Sequence, residues 1–261
     1  VHFAENVAAA ERAWGKHVAD GTCLHALSPT ILERAYGEAT ARGLQGAWLT
    51  LDADVVRDVM RRVEDRAVRF AVFEAHSTRA SDRGPHAAQF DNGPIVDEIL
   101  ALRYERARLL GFRNSAELTV EGSGDSPDGL ERRLLERNAE VRPLALDELG
   151  RLWAQAKASH GLKAIRPWDL AFYAEALGLG ADAAIAAAAA IERELFDLRM
   201  HRDFVPARMS SKLRSQVFDT LAQVRKEVAV LASPPWDRSA CGFLEVFGGA
   251  PRGRPSTGVE T

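Results

Sequence analysis

The sequence is short of cysteine, of long apolar runs and of any excess of one charge, and each scarcity excludes a class of protein. Its two cysteines, Cys23 and Cys241, lie far apart and form no C-x-x-C pair, so no disulfide framework is expected and a reducing cytoplasmic setting is the expectation. No stretch approaches the ~18 uninterrupted apolar residues of a membrane-spanning helix. The longest small-apolar run, Ala183 to Ile191, is mostly alanine. No basic–apolar–small leader pattern opens the chain at Val1, and a soluble protein is expected. Lysine and arginine number 34 against 37 acidic residues, a net charge of −3, without the basic excess of a nucleic-acid binder. What is present is ordinary for a globular chain: 261 residues, 46% apolar and 27% charged, enough to bury a core.

Helical periodicity dominates, and no run of alternating β-branched residues stands out, so the fold class is read as all-α, a multi-helix, bundle-like body. Val56, Val59, Met60, Val63, Ala67 and Phe70 recur three or four apart, which predicts one helix over 55–73 capped by Asp52 or Asp54. Ile95, Ile99, Leu102 and Leu109 do the same over 94–111, with Asn92 before Pro94 as a start signal and Gly111 as a stop. Ser28-Pro29 opens a helix running to about Gly43. Residues 128–160 read as a long helix that Pro143 either breaks or interrupts, since proline removes a backbone donor and disfavours helical geometry at Arg142. Pro167-Trp168-Asp169 reads as a helix entry, with Asp169 a cap for 170–177. A strong helix former covers Ala183 to about Asp203, and Leu213, Val217, Leu221, Val224, Val228 and Leu231 stripe a last helix.

Loop chemistry separates these helices. Residues 77–93 carry Gly, Pro, Asp and Asn, 121–128 form a polar hinge, and the Gly- and Pro-rich tail from 248 to 261 is expected to be disordered. Within the first loop Arg79, Asp82, Arg83 and His86 are the candidates for binding a peptide carboxylate or another anion. The competing reading is that they tie a long loop to neighbouring helices through side-chain-to-backbone hydrogen bonds.

The words between the loops carry a resemblance. FAENV (3–7), LTLD (49–52), STRASDRGP (77–85), DN (91–92), EILALRYERARLLGF (98–112) and PWDLAFYAE (167–175) resemble, in order and spacing, the N-terminal and middle part of the oligopeptidase A / thimet oligopeptidase family of zinc metallopeptidases. ELFDLRMHRDF (194–204), TLAQVRKEVAVLASPPWDR (220–238) and FLEVFGG (243–249) are similar to segments close to that family's C-terminal end. The resemblance implies a helical channel protein acting on short peptides with a zinc cofactor. Its chemistry needs H-E-x-x-H on one helix: two histidines one turn apart on the metal, with the glutamate activating water between them.

That motif is absent. None of His2, His17, His25, His76, His86, His160 and His201 begins H-E-x-x-H. Only 177–185 joins the two matching blocks, in place of the zinc region. The resemblance therefore implies a truncated, internally deleted member: 1–176 as the N-terminal and middle helical part, 177–185 as the junction, 186–247 as the C-terminal helical part and 248–261 as the tail. No catalytic residue, metal ligand or cofactor is assigned. The expectation is a catalytically inactive pseudo-enzyme or gene relic. The alternative is a non-catalytic protein that binds short peptides, a protein partner or a second copy through the retained helices, with no nucleic-acid or membrane partner.

Weaker constellations read as structural. Asp197 and His201 stand four apart on a helix without a third ligand. His17, Cys23 and His25 offer three ligand types but not the paired spacing of a structural zinc site. Gly122-Ser123-Gly124 sits in a polar hinge, not after a strand, and Trp14, Trp48, Trp153, Trp168 and Trp236 are read as core anchors.

Overall fold

The computed structural model describes residues 2–180 and 183–204. The sequence-predicted helix at 210–231, Trp236, Cys241 and the tail from 248 lie outside the described residues. In chain order the elements are α1 (His2–Ala13), β1 (Lys16–Val18), a short 3-10 turn (Gly21–Leu24), α2 (Pro29–Ala41), β2 (Ala47–Leu49), α3 (Ala53–Arg62) and α4 (Arg66–Ser77). They continue with α5 (Gly93–Leu109), α6 (Ser115–Val120), α7 (Pro127–His160), α8 (Pro167–Ala176) and α9 (Ala184–Asp203). The all-α reading holds. Sequence patterning missed one small feature, the antiparallel pair β1–β2, which sets Lys16 opposite Leu49 and Val18 opposite Ala47. Three-residue strands are too short to show alternation. Gly46 leads into β2 with φ +87°, and a Cβ there would collide with the Val18 carbonyl, so the position requires glycine.

The described chain forms two compact units, the first from 2–93 and 155–180 and the second from 94–154 and 183–204. In the first, Val18, Leu24, Ile31, Leu49, Val59, Val63 and Val72 form the centre of the core, with Trp14 and Trp168 packed against it. The predicted helix over 55–73 is two helices. Val63 takes an extended backbone, and the Asp65 side chain accepts from the amides of Ala67 and Val68 at 2.7 and 3.2 Å. A strong N-cap thus outcompetes the continuous stripe and shifts its register. Val68, Arg69, Val72 and Ala75 turn inward, and Phe70, expected in the core, is 40% exposed. Asp52 and Asp54 do not cap the next helix in the expected way: Asp52 accepts from Thr50 and Asp54 pairs with Arg34.

Asp169 is likewise placed differently from its sequence reading. It is the third residue of α8, completely buried, accepts from the Arg166 amide at 2.9 Å and is held by two arginines.

In the second unit Ala116, Leu134, Ile191, Leu195 and Leu198 gather where α6, α7 and α9 meet. α7 runs unbroken through Pro143. Proline costs it the bond to Ala139, and because both positions are exposed the freed carbonyl is not sealed away from solvent. α9 begins at an alanine that cannot cap, so Glu148 of α7 supplies the cap: its carboxylate accepts from the amides of Ala184 and Ile185, each at 3.0 Å. No described helix is long and apolar enough to cross a membrane.

Candidate functional site

Polar groups gather in two places, the 77–93 loop of the first unit and a cleft in the second.

The loop leaves α4 through Thr78, whose hydroxyl donates to the Glu74 carbonyl at 2.6 Å, and Ser81 donates back to Thr78 at 2.7 Å. Ala80 and Ala88 take left-handed backbones at φ +53° and +61°, with Gly84 at +79° between them. Strain of that kind in residues other than glycine persists only where surroundings fix it. Here the amides of Ala88 and Asn92 bond to the carbonyls of Ser81 and Ala80 at 3.1 and 3.0 Å.

Of the four predicted residues, the structure separates one from three. Arg79 is largely buried, donates to the His76 carbonyl and pairs with Glu11 of α1 at 3.1 Å, so its charge ties the loop to the helices. Asp82 and Arg83 stand exposed, 3.9 Å apart. His86 is half-buried beside Gln89 (3.3 Å) and Phe90.

Sequence reasoning missed Asn92. It was read as the start signal of α5, but its buried amide reaches back to α1, donating to the Phe3 carbonyl at 3.0 Å and accepting from Asn6 at 2.9 Å. Asp91 takes over at the helix start, accepting from the Gly93 amide at 2.8 Å. Asn6 and Asn92 both sit inside words that carried the family resemblance, which was the available signal. His76, also overlooked, is held neutral: burial first, and Arg79 second, push its pKa down to about 4.

The cleft, about 490 Å³, opens among the segment from Phe112 to Asp128 and Arg202 near the end of α9. The Gly122-Ser123-Gly124 turn lies on its wall, with Gly122 and Gly124 at φ +78° and +75°. Its charges are mostly spent on one another. Arg113 pairs with Glu117, and Arg133 pairs with Asp125 and holds that carboxyl below its ordinary range. Arg202 pairs with Glu131 and with Asp203 at 2.9 Å. Asp128, also on its wall, is exposed and lies 3.6 Å from Arg202.

The weaker constellations resolve into local bonds. His17 bonds the Gln45 carbonyl at 2.6 Å, His25 the Thr22 carbonyl at 2.7 Å, and the Cys23 thiol points at the Asp20 carbonyl at 3.7 Å. Burial raises the Cys23 pKa, which keeps it a thiol. His201 receives its bond from Arg103 at 2.7 Å, and burial followed by that guanidinium lowers its pKa.

Comparison with known proteins decides the family. The sequence model of peptidase family M3 matches residues 59–178. Oligopeptidase A of Salmonella typhimurium is 38% identical over 174 residues, covering 66% of this chain and 26% of the relative. The chain belongs to peptidase family M3. The Escherichia coli oligopeptidase A matches to the same extent, and a probable cytosolic oligopeptidase A of Arabidopsis thaliana is 33% identical over 186 residues. The chain spans about a quarter of the length of these curated M3 relatives.

The zinc that the family resemblance implies needs H-E-x-x-H and a third ligand, and the described residues do not supply that set. None of the seven histidines begins H-E-x-x-H. Among the described residues no three His, Cys, Asp or Glu side chains converge to hold a metal ion.

Proposed function

We propose that these 261 residues supply helical scaffold of an M3 oligopeptidase and do not hydrolyse peptides by themselves. The observation that supports this reading is the missing H-E-x-x-H: without two imidazoles one helical turn apart and the glutamate between them, nothing in the sequence matches the family's water-activating centre. The substrate class carried by the relatives' names, oligopeptides, is the ligand class this scaffold would meet, and a cytosolic setting follows the Arabidopsis relative's name.

The test is elemental analysis of the purified chain together with cleavage of a quenched fluorescent oligopeptide, with and without 1,10-phenanthroline. Sub-stoichiometric zinc and no chelator-sensitive cleavage are expected. One zinc per chain with chelator-blocked turnover would overturn the reading.

A second reading, peptide binding without cleavage, is favoured by the exposed Arg83 and the half-buried His86. The Arg83 guanidinium is open to a peptide carboxylate, whereas Arg79 is committed to Glu11. Calorimetric titration with the same oligopeptide tests it. Binding that Arg83→Ala with His86→Ala abolishes supports it, and no heat of binding dismisses it.

A further inference from the structure

Within the second unit, α5 and the end of α9 are joined through a single imidazole. Arg103 of α5 donates from Nη1 to His201 Nε2 at 2.7 Å. Arginine can only donate, so Nε2 presents its lone pair and the neutral ring carries its one proton on Nδ1. That proton also has a place, because the ring bonds to the backbone carbonyl of Asp197, one turn back on α9. The two bonds coexist in one tautomer of the uncharged ring and in no other state.

A second proton reverses the contact. It lands on Nε2, the accepting atom, so an N–H then faces an N–H and two cations stand a hydrogen-bond length apart. The imidazolium is drawn instead to its own helix. The Asp197 carboxylate, four residues back, attracts it, and the last turn of α9, which ends at Asp203, favours positive charge. Arg202, the next residue, is turned to Glu131 of α7 and to Asp203. We propose that His201 is a proton-operated latch between α5 and α9: the neutral ring holds Arg103, and the protonated ring releases it and turns to Asp197.

α5 is the element that yields. Ile191, Leu195 and Leu198 seat α9 on α6 and α7, and Arg199 and Arg202 both pair with Glu131. α5 buries Leu100 and Ala107, while its Leu102 and Leu109 are 58% and 88% exposed. Among the described residues Arg103 bonds only to His201, so protonation removes the whole hold of that guanidinium. Burial first, and Arg103 second, keep the ring's pKa below its ordinary value against the pull of Asp197. The latch is therefore shut at neutral pH and opens as the pH falls below the ordinary histidine range.

The experiment follows two signals on the full chain across a series from about pH 7.5 to about pH 4.5. Imidazole nitrogen resonances report the tautomer and charge of His201, assigned by their loss in His201→Gln. Hydrogen exchange, corrected for its intrinsic pH dependence, reports the opening of α5. A neutral ring protonated on Nδ1 is expected at the upper end. Protection from Leu100 to Ala107 is expected to fall about tenfold along the ring's own midpoint, while amides near Leu195 and Leu198 stay protected. A neutral ring protonated on Nε2 overturns the proposal. So does α5 protection that persists through the ring's titration, or that is lost together with protection at Leu195 and Leu198.

Two variants separate the latch from general acid loosening. His201→Gln offers Arg103 an amide oxygen that does not titrate, and α5 is expected to stay protected throughout the series. Arg103→Met keeps an apolar stem without a donor, and α5 is expected to exchange about tenfold faster at every pH. Loss of α5 protection along the wild-type midpoint in His201→Gln overturns the proposal. The tautomer and the paired midpoints are read on the unmodified chain, so they decide the matter even where a variant fails to fold.

Discussion

Asp169 and Arg69, one hundred residues apart in sequence, meet at 2.8 Å with both side chains shut away from water. Arg69 also donates to the carbonyls of Val63, Glu64 and Trp168, and Arg66 closes on the other carboxylate oxygen at 2.7 Å. The pair therefore fastens the break between α3 and α4 to the first turn of α8. Removing Asp169 leaves a buried guanidinium short of its counter-charge, and a loss of about 3–5 kcal/mol is expected for Asp169→Ala. Replacing both groups by Arg69→Met with Asp169→Leu is expected to cost clearly less than the single change, because no uncompensated charge remains. Urea unfolding of the two variants, read by circular dichroism, checks the order.

His76 predicts an acid-sensitive first unit. Its folded pKa of about 4 lies below the ordinary 6.5, so the fold prefers the neutral ring and the unfolded chain takes up the proton first. The stabilisation is complete above pH 6.5 and is lost as pH falls from 6.5 towards about 4, below which the difference no longer grows. That interval corresponds to up to about 3 kcal/mol. His76→Gln is expected to flatten the stability profile between pH 6.5 and 4, leaving the steeper carboxylate-driven loss below. Identical slopes in the two proteins by urea titration would contradict the assignment. His201 shares the direction, since its burial and the neighbouring Arg103 also oppose protonation.

The helices were legible because their apolar residues recur at helical spacing, and α2, α5, α8 and α9 fall close to where the pattern put them. The errors share one physical origin, side chains that act across long sequence distances or compete locally with a stripe. Asp65 looks like any surface acid until its carboxylate is seen on two amides, and that cap divides 55–73 and exposes Phe70. Asn92 looks like a helix start until its amide is found on α1. α5 shows the same limit in packing: of the predicted stripe Ile95, Ile99, Leu102 and Leu109, the last two are exposed while Leu100 and Ala107 are buried, because periodicity cannot tell which of two apolar faces a helix turns inward. Of the four loop candidates, the competing structural reading holds for Arg79, and its partner Glu11 is sixty-eight positions away (79 − 11), beyond any local pattern.

Glu148 gives the sharpest test of how the second unit is held. α9 starts at Ala183-Ala184, where no side chain can accept from the first amides, and the carboxylate of Glu148 accepts two of them from α7. The interaction adds a negative charge at a helix N-terminus to the hydrogen bonds themselves. Glu148→Ala is expected to lower stability by about 1–2 kcal/mol. Glu148→Gln keeps one acceptor oxygen but loses the charge, so it is expected to fall between wild type and alanine. The two should part most clearly in hydrogen exchange of the first turn of α9, which speeds up in Glu148→Ala while the amides near Leu195 and Leu198 hold their protection in the core. If Ala183→Asp, which supplies a local cap, restores slow exchange in the Glu148→Ala background, the defect is the missing acceptor rather than lost packing between α7 and α9.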